Sequence, residues 1–260
     1  MSFCVFKPVA RRRWLAAFLW AAISMTGSCR SRPDRTVRVA VAANFAETVK
    51  EIAQQFQTAT GYKAVLSFGS TGQLNTQITQ DAPFEVFLAA DQETPRKALA
   101  AGLGLENSVF TYAIGKIVLF SAHLDLTNGE AVLRRGEFEK IAIANPVTAP
   151  YGAAAVEAMK ALGVHERLGG KIVQGNNIAQ TFQFVETGNA ELGFVALSQV
   201  VGKDARSIWI VPDTLYSPIR QDAVLLKKGG ANEAARAFLA FLKSRAAQKL
   251  IEKYGYAGTA

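Results

Sequence analysis

The sequence predicts an α/β chain folded as two lobes, and three observations carry that prediction. Short β-rich runs alternate with helical patterns along most of the chain. Strand–turn–helix pairs form a coarse repeat, one set near 37–80 and one near 140–188. Two longer segments, near 110–120 and 212–222, suit passages between lobes. Such alternation implies parallel sheets covered by helices on both faces. A length of 260 residues suffices for one large domain or two lobes.

The elements follow in order. VRVAVAA (37–43) is β-rich, and NFAETVKEIAQQFQTATG (44–61) has apolar residues at helical spacing. Asn44 is placed to cap that helix, with Glu47 completing a capping box and Gly61 stopping it. KAVLSF (63–68) reads as a strand, GST (69–71) as a turn and 72–80 as a helix. EVFLAA (85–90) is a buried strand ending at Asp91, which suits a cap for a helix over 93–102. FTYAIGKIVLFSA (110–122) is a strand pair or one extended crossing strand. Strands at 140–146 and 171–177 precede helices at 152–163 and 178–188. LGFVALSQVV (192–201), IWIV (208–211) and IRQDAVLLKK (219–228) add strands, and 231–255 reads as one helix stopped by Gly255.

Half the residues are apolar and 19% are charged, a globular balance. The formal net charge is +8, and Lys7, Arg11, Arg12 and Arg13 supply half of it. The remainder shows no basic run interleaved with aromatics, which argues against nucleic acid as a partner. Those four cations precede WLAAFLWAAISM (14–25), an apolar stretch too short to span a bilayer, so residues 1–29 read as an export signal. Residues 30–36 (RSRPDRT) read as a linker. Thr26-Gly27-Ser28-Cys29 resembles a lipoprotein box with Thr26 where a bulky apolar residue is usual. Two readings stand: lipidation at Cys29, or ordinary cleavage nearby with Cys29 incidental. No cysteine follows Cys29, which removes thiol nucleophiles, disulfides and cysteine metal sites from the processed chain. His123 and His165 are far apart and suit surface or capping roles.

Four turns share a character: Ala42-Ala43-Asn44, Gly69-Ser70-Thr71-Gly72, Pro150-Tyr151-Gly152 and Asn176-Asn177-Ile178. Each follows a strand, opens a helix and carries no charge. Ligands of open α/β sheets bind beyond the carboxyl ends of the strands. The first N–H groups of a helix lack intrahelical acceptors and carry partial positive charge, so they can hold an anion. One helix end contributes about 0.3–1 kcal/mol when exposed and up to about 2 when partly buried. Any one of these turns is better explained as a plain helix cap, since Ser, Thr, Asn and Gly are ordinary cap residues; it is the four together in a two-lobed α/β chain that point to a site. Gly69-Ser70-Thr71-Gly72 lacks the Gly-Lys-Ser/Thr ending of a phosphate loop, and Ser70 lacks a nucleophile elbow or neighbouring histidine.

VAVAANFAETVKEIAQQF, SFGSTGQL, APFEVFLAAD, FTYAIGKIVLFS, IANPVTAPYGAAA, GNNIAQT and LGFVAL together resemble the molybdate-binding proteins of bacterial ABC importers, the ModA family. The likeness runs from Val37 to Tyr256. It implies a two-lobed type II periplasmic-binding-protein fold with two crossing segments and an oxyanion in the cleft. The expected division is lobe I over 37–112 with 216–260, and lobe II over 113–215. By position, the resemblance assigns the anion to Asn44 with Ala43 beside it, Thr71 with Ser70 adjacent, and the backbone N–H groups of Tyr151 and Ile178. Where many members carry a tyrosine hydroxyl, this chain has Ala196; Tyr151 is a second source of one. The molybdenum would be bound only as its oxyanion, with no side chain on the metal and no cofactor. The resemblance further implies no enzymatic activity, tungstate as a second ligand, an inner-membrane ABC permease as partner, a monomer, and a periplasmic location, lipid-anchored if Cys29 is modified. A receptor for sulfate or another tetrahedral anion is the alternative, and an enzyme on the same fold the third reading.

Overall fold

The computed structural model describes residues 35–258, together with Met1 and Phe3. The export signal, Cys29 and the linker up to Asp34 lie outside the described residues.

Two five-stranded sheets organise the chain. The first contains β1 (Thr36–Ala42), β2 (Lys63–Gly69), β3 (Val86–Leu88), β4 (Phe110–Gly115) and β10 (Ile219–Leu225), in the order β2-β1-β3-β10-β4. The second contains β5 (Ile117–Phe120), β6 (Ile141–Ala144), β7 (Ile172–Gly175), β8 (Leu192–Ala196) and β9 (Ile208–Ile210), in the order β7-β6-β8-β5-β9. The helices are α1 (Ala46–Thr60), α2 (Thr71–Thr79), α3 (Glu93–Ala100), α4 (Gly129–Arg135), α5 (Pro150–Ala161), α6 (His165–Leu168), α7 (Ile178–Glu186), α8 (Glu233–Leu242) and α9 (Arg245–Lys253).

The expectation of parallel sheets needs correcting, because both sheets are mixed. β1 runs parallel to β2 and β3, while β10 runs antiparallel to β3 and β4. β6 runs parallel to β7 and β8, while β5 runs antiparallel to β8 and β9. The antiparallel strands β5 and β10 are those entered after the chain crosses between sheets. A strand that arrives from the other lobe has no right-handed helical crossover to return it to the parallel direction. The 110–122 segment is therefore a strand pair, split at Lys116 between the two sheets.

Alternating residues of each strand face opposite cores, as the period of two requires. Val37, Val39 and Val41 pack with Val49, Ile52 and Phe56 of α1, Phe238 of α8 and Ile251 of α9. Ala40, Phe87 and Val224 face the other way, onto Leu74 and Ile78 of α2. In the second sheet Ile141, Ile143 and Phe194 meet α5, while Ala142 and Val195 meet Val185 of α7. The first of these two clusters continues across the seam to Ala42, Ala43, Ala90 and Ile219, so the lobes are packed against each other.

Three local expectations change. The predicted helix over 231–255 is two helices, because Ser244 takes an extended backbone and its hydroxyl accepts from Ala247 N–H to start α9. The short helix α4, capped by Asn128, was not anticipated from the sequence. Asn44 does not cap α1: residues 43–45 form a 3-10 turn, Phe45 precedes the helix, and no side chain caps it. Gly61 does end α1, in the left-handed conformation at φ 72°.

Candidate functional site

The four neutral turns lie at the carboxyl ends of β1, β2, β6 and β7, and each opens a helix or helical turn. Asn44, Ser70, Thr71, Tyr151, Ile178 and Ala43 are all buried, none more than 5% exposed. Ala43, Tyr151 and Ile178 share one apolar cluster, although they belong to different lobes. At the mouth of the seam, Gly72 N–H donates to Thr148 O at 2.9 Å and closes one turn onto the other. A Cβ on Gly72 would stand 3.1 Å from the Thr148 backbone, so glycine permits this approach.

The caps leave specific donors unused. Ser70 Oγ accepts from Gln73 N–H at 3.4 Å, and Asn177 Oδ1 accepts from Ala179 and Gln180 N–H. Both caps bypass the first amide of their helix, Thr71 in α2 and Ile178 in α7. Thr71 Oγ1 accepts from Ala90 N–H at 3.0 Å, and its own proton has no acceptor among the described residues. The Ser70 hydroxyl proton is in the same position. In α5, Pro150 occupies the first turn and has no N–H to offer, which leaves Tyr151 as the leading amide. Gly152 lets that helix approach β6: a Cβ there would stand 2.1 Å from Ala144 O.

Asn44 is committed differently from the expectation of a free amide donor. Its Nδ2 lies 2.8 Å from Gln221 Oε1, 3.1 Å from Tyr256 Oη and 3.4 Å from Tyr151 Oη. Two amide protons meet three protein acceptors, so the side chain is held by the protein itself. The Asn44 carbonyl accepts from Ser198 Oγ and Tyr256 Oη, each at 2.8 Å. Gln221 Nε2 donates to Tyr151 Oη at 3.2 Å, and Tyr112 Oη lies 3.1 Å from Gln221 Oε1. The Tyr151 hydroxyl is thus inside a polar knot rather than at a free edge. At the strand end where the family tyrosine was expected, Ala196 donates its N–H to Gln199 Oε1. A tyrosine hydroxyl does stand nearby, from Tyr256 at the other end of the chain, 3.1 Å from Ser198 Oγ.

Sequence reasoning missed Gln221, Tyr112, Tyr256 and Ser198. One signal was present: Arg220, Gln221 and Asp222 are a polar run within a strand, and the buried pair Gln221 and Asp222 demands partners. Asp91 serves its helix as expected, accepting from Thr94 N–H at 2.7 Å, and burial raises its carboxyl above the ordinary range.

Burial also pushes the Tyr112 and Tyr151 hydroxyls well above the ordinary tyrosine range, and raises Tyr256 to about 12. All three remain neutral donors and acceptors at working pH. A phenol whose folded pKa is raised gives stability that is whole below its unfolded value and disappears as pH climbs through the folded one. Denaturant midpoints are therefore expected to hold steady from pH 7 to 9 and to fall between 10.0 and about 12, the Tyr256 window. An unchanged midpoint at pH 11.5 would contradict the knot's dependence on neutral phenols.

Residues 37–257 match the family model of the bacterial extracellular solute-binding proteins. The molybdate-binding protein ModA of Rhodobacter capsulatus is 52% identical over 220 residues, covering 85% of this chain and 87% of that protein. ModA of Azotobacter vinelandii is 53% identical over 225 residues, covering 85% and 89%. The solved structure of the Azotobacter vinelandii periplasmic molybdate-binding protein superposes with a TM-score of 0.83 at 37% identity, over 86% of this chain and all of that one. Two mixed sheets joined by two crossings, with neutral helix-opening turns facing across the seam, accord with these likenesses: the chain belongs to the bacterial extracellular solute-binding protein family and, within it, to the ModA family.

Proposed function

We propose that this protein captures molybdate between its lobes outside the cytoplasm and delivers it to an ABC permease in the inner membrane. The observation that carries the reading is the pair of buried hydroxyls, Ser70 and Thr71, whose protons have no acceptor among the described residues. They stand beside the uncapped first amide of α2. From the other lobe, Tyr151 and Ile178 present their backbone N–H groups at the openings of α5 and α7. Asn44 and Ala43 shape the floor, with Asn44 held by its own hydrogen bonds. Such a site offers donors only, which suits an oxyanion without protons. Monohydrogen phosphate would need an acceptor carboxylate, and none of the four turns carries one.

Tungstate has the same charge and nearly the same size, so the same donors serve it. Sulfate is a smaller dianion of the same charge, so discrimination against it would have to come from the size of the cavity. The anion would bridge lobe I (37–112 with 216–260) and lobe II (113–215), shifting an open–closed equilibrium toward the closed form that docks on the permease. The basic and apolar leader over 1–29 supports export, and the Thr26–Cys29 box is the feature that supports a lipid anchor over ordinary cleavage. Calorimetric titration of the protein with molybdate, tungstate, sulfate and phosphate is expected to rank the first two together and far above the others. Sulfate binding as tight as molybdate binding would overturn the reading.

A further inference from the structure

Gln221 is fully buried in β10, where it stands between Arg220 and Asp222 in a strand whose remaining residues are apolar. The ladder between β10 and β4 skips one residue: Gln221 pairs with Ala113 and Asp222 with Thr111, so Tyr112 is the extra residue of a bulge on β4. A bulge of this kind re-aims a side chain, and here the Tyr112 hydroxyl meets Gln221 Oε1 at 3.1 Å. Gln221 also places Oε1 2.8 Å from Asn44 Nδ2. Its nitrogen donates to Tyr151 Oη at 3.2 Å. Asn44 belongs to the lobe of the first sheet, and Tyr151 to the helix that opens from the second. Gly115 makes room for this meeting: a Cβ there would stand 2.7 Å from Gln221 Nε2.

We infer that Gln221 is the positioning residue of the anion site, setting the side chains of Asn44 and Tyr151 across the seam without meeting the anion. The inference rests on the functional reading above. The amide has the one property the task needs, an acceptor on one end and a donor on the other. Gln221 Oε1 accepts from Asn44 and Tyr112 while its Nε2 donates to Tyr151, so Gln221 sets the direction of the bonds that meet at its own amide. The hydrogen bond to Tyr151 joins the lobes, so separating them would break it, and Gln221 would thereby also set part of the closed population before any anion arrives. A residue acting in this way changes affinity for every anion by the same factor, because it changes the closed fraction and not the contacts.

A double-mutant cycle on the full protein tests this. Gln221→Met keeps the volume and removes both polar ends; Tyr151→Phe removes the acceptor. Each single variant is expected to bind molybdate and tungstate about tenfold more weakly, by one common factor. The double variant is expected to lose clearly less than the product of the two single losses, because the Gln221–Tyr151 bond is broken by both changes. Gln221→Asn, a methylene too short to span both partners, is expected to behave like Gln221→Met and replaces it if the methionine variant does not fold. Binding by the Gln221 variants within twofold of the parent would overturn the proposal, as would losses that multiply in the double variant. Unequal losses for the two anions would do so too. A parent protein that does not bind molybdate would sink the functional reading, and this proposal with it.

Discussion

Gly115→Ala is expected to weaken molybdate binding by at least about 100-fold, which corresponds to roughly 2.7 kcal/mol removed from the closed state. The added methyl would stand 2.0 Å from Tyr151 Oη and 2.9 Å from its ring carbon Cζ. Gly115 ends the last strand of the first sheet before the chain crosses, so its backbone has little freedom to retreat. Tyr151 sits on the opposite lobe, and the cheapest relief is for the lobes to stay apart. Calorimetry would measure the loss, and small-angle scattering would show whether the radius of gyration still shrinks when molybdate is added. Tyr151→Phe in the same background is expected to recover part of the affinity, since it removes the nearest atom. Affinity within threefold of the parent for Gly115→Ala alone would show that closure does not need this close approach.

The second large effect is expected at Thr71. Valine has the same shape and no hydroxyl, so Thr71→Val deletes the donor proposed for the anion and strands Ala90 N–H, now bonded to Thr71 Oγ1 at 3.0 Å. A hydrogen bond to a charged group contributes about 1.5–3 kcal/mol, so binding is expected to weaken about 10- to 150-fold. Thr71→Ser keeps the hydroxyl and should stay within a few-fold of the parent. Equal losses in the valine and serine variants would mean that the methyl group matters and the hydroxyl does not.

The turns that make up the candidate site were legible for a plain reason. They follow strands and open helices, and residue type at such positions is governed by local rules of capping and backbone freedom. Ser70 and Asn177 do cap their helices, as those rules suggest. The same rules misread Asn44. In isolation it is a good cap with Glu47 three residues on, yet its amide bonds to residues 107, 177 and 212 positions away. A buried amide is oriented by whichever partners the folded chain brings to it, and three acceptors around Nδ2 hold this side chain so that it caps no helix. Gln221 was visible only as one of three consecutive polar residues in a strand, with its partners on three other elements.

By itself the sequence determined the alternation of strands and helices, the places where the chain turns, and the neutral chemistry of those turns. These depend on neighbours within a few positions, through periodicity, caps and the backbone limits of glycine and proline. Tertiary structure alone decided the direction of β5 and β10, the split at Lys116, and the knot of Asn44, Tyr112, Tyr151, Ser198, Gln221 and Tyr256. Strand direction follows from which sheet the chain has just left, and buried hydrogen bonds go to partners that proximity in space selects. Neither is encoded in the spacing of residues along the chain.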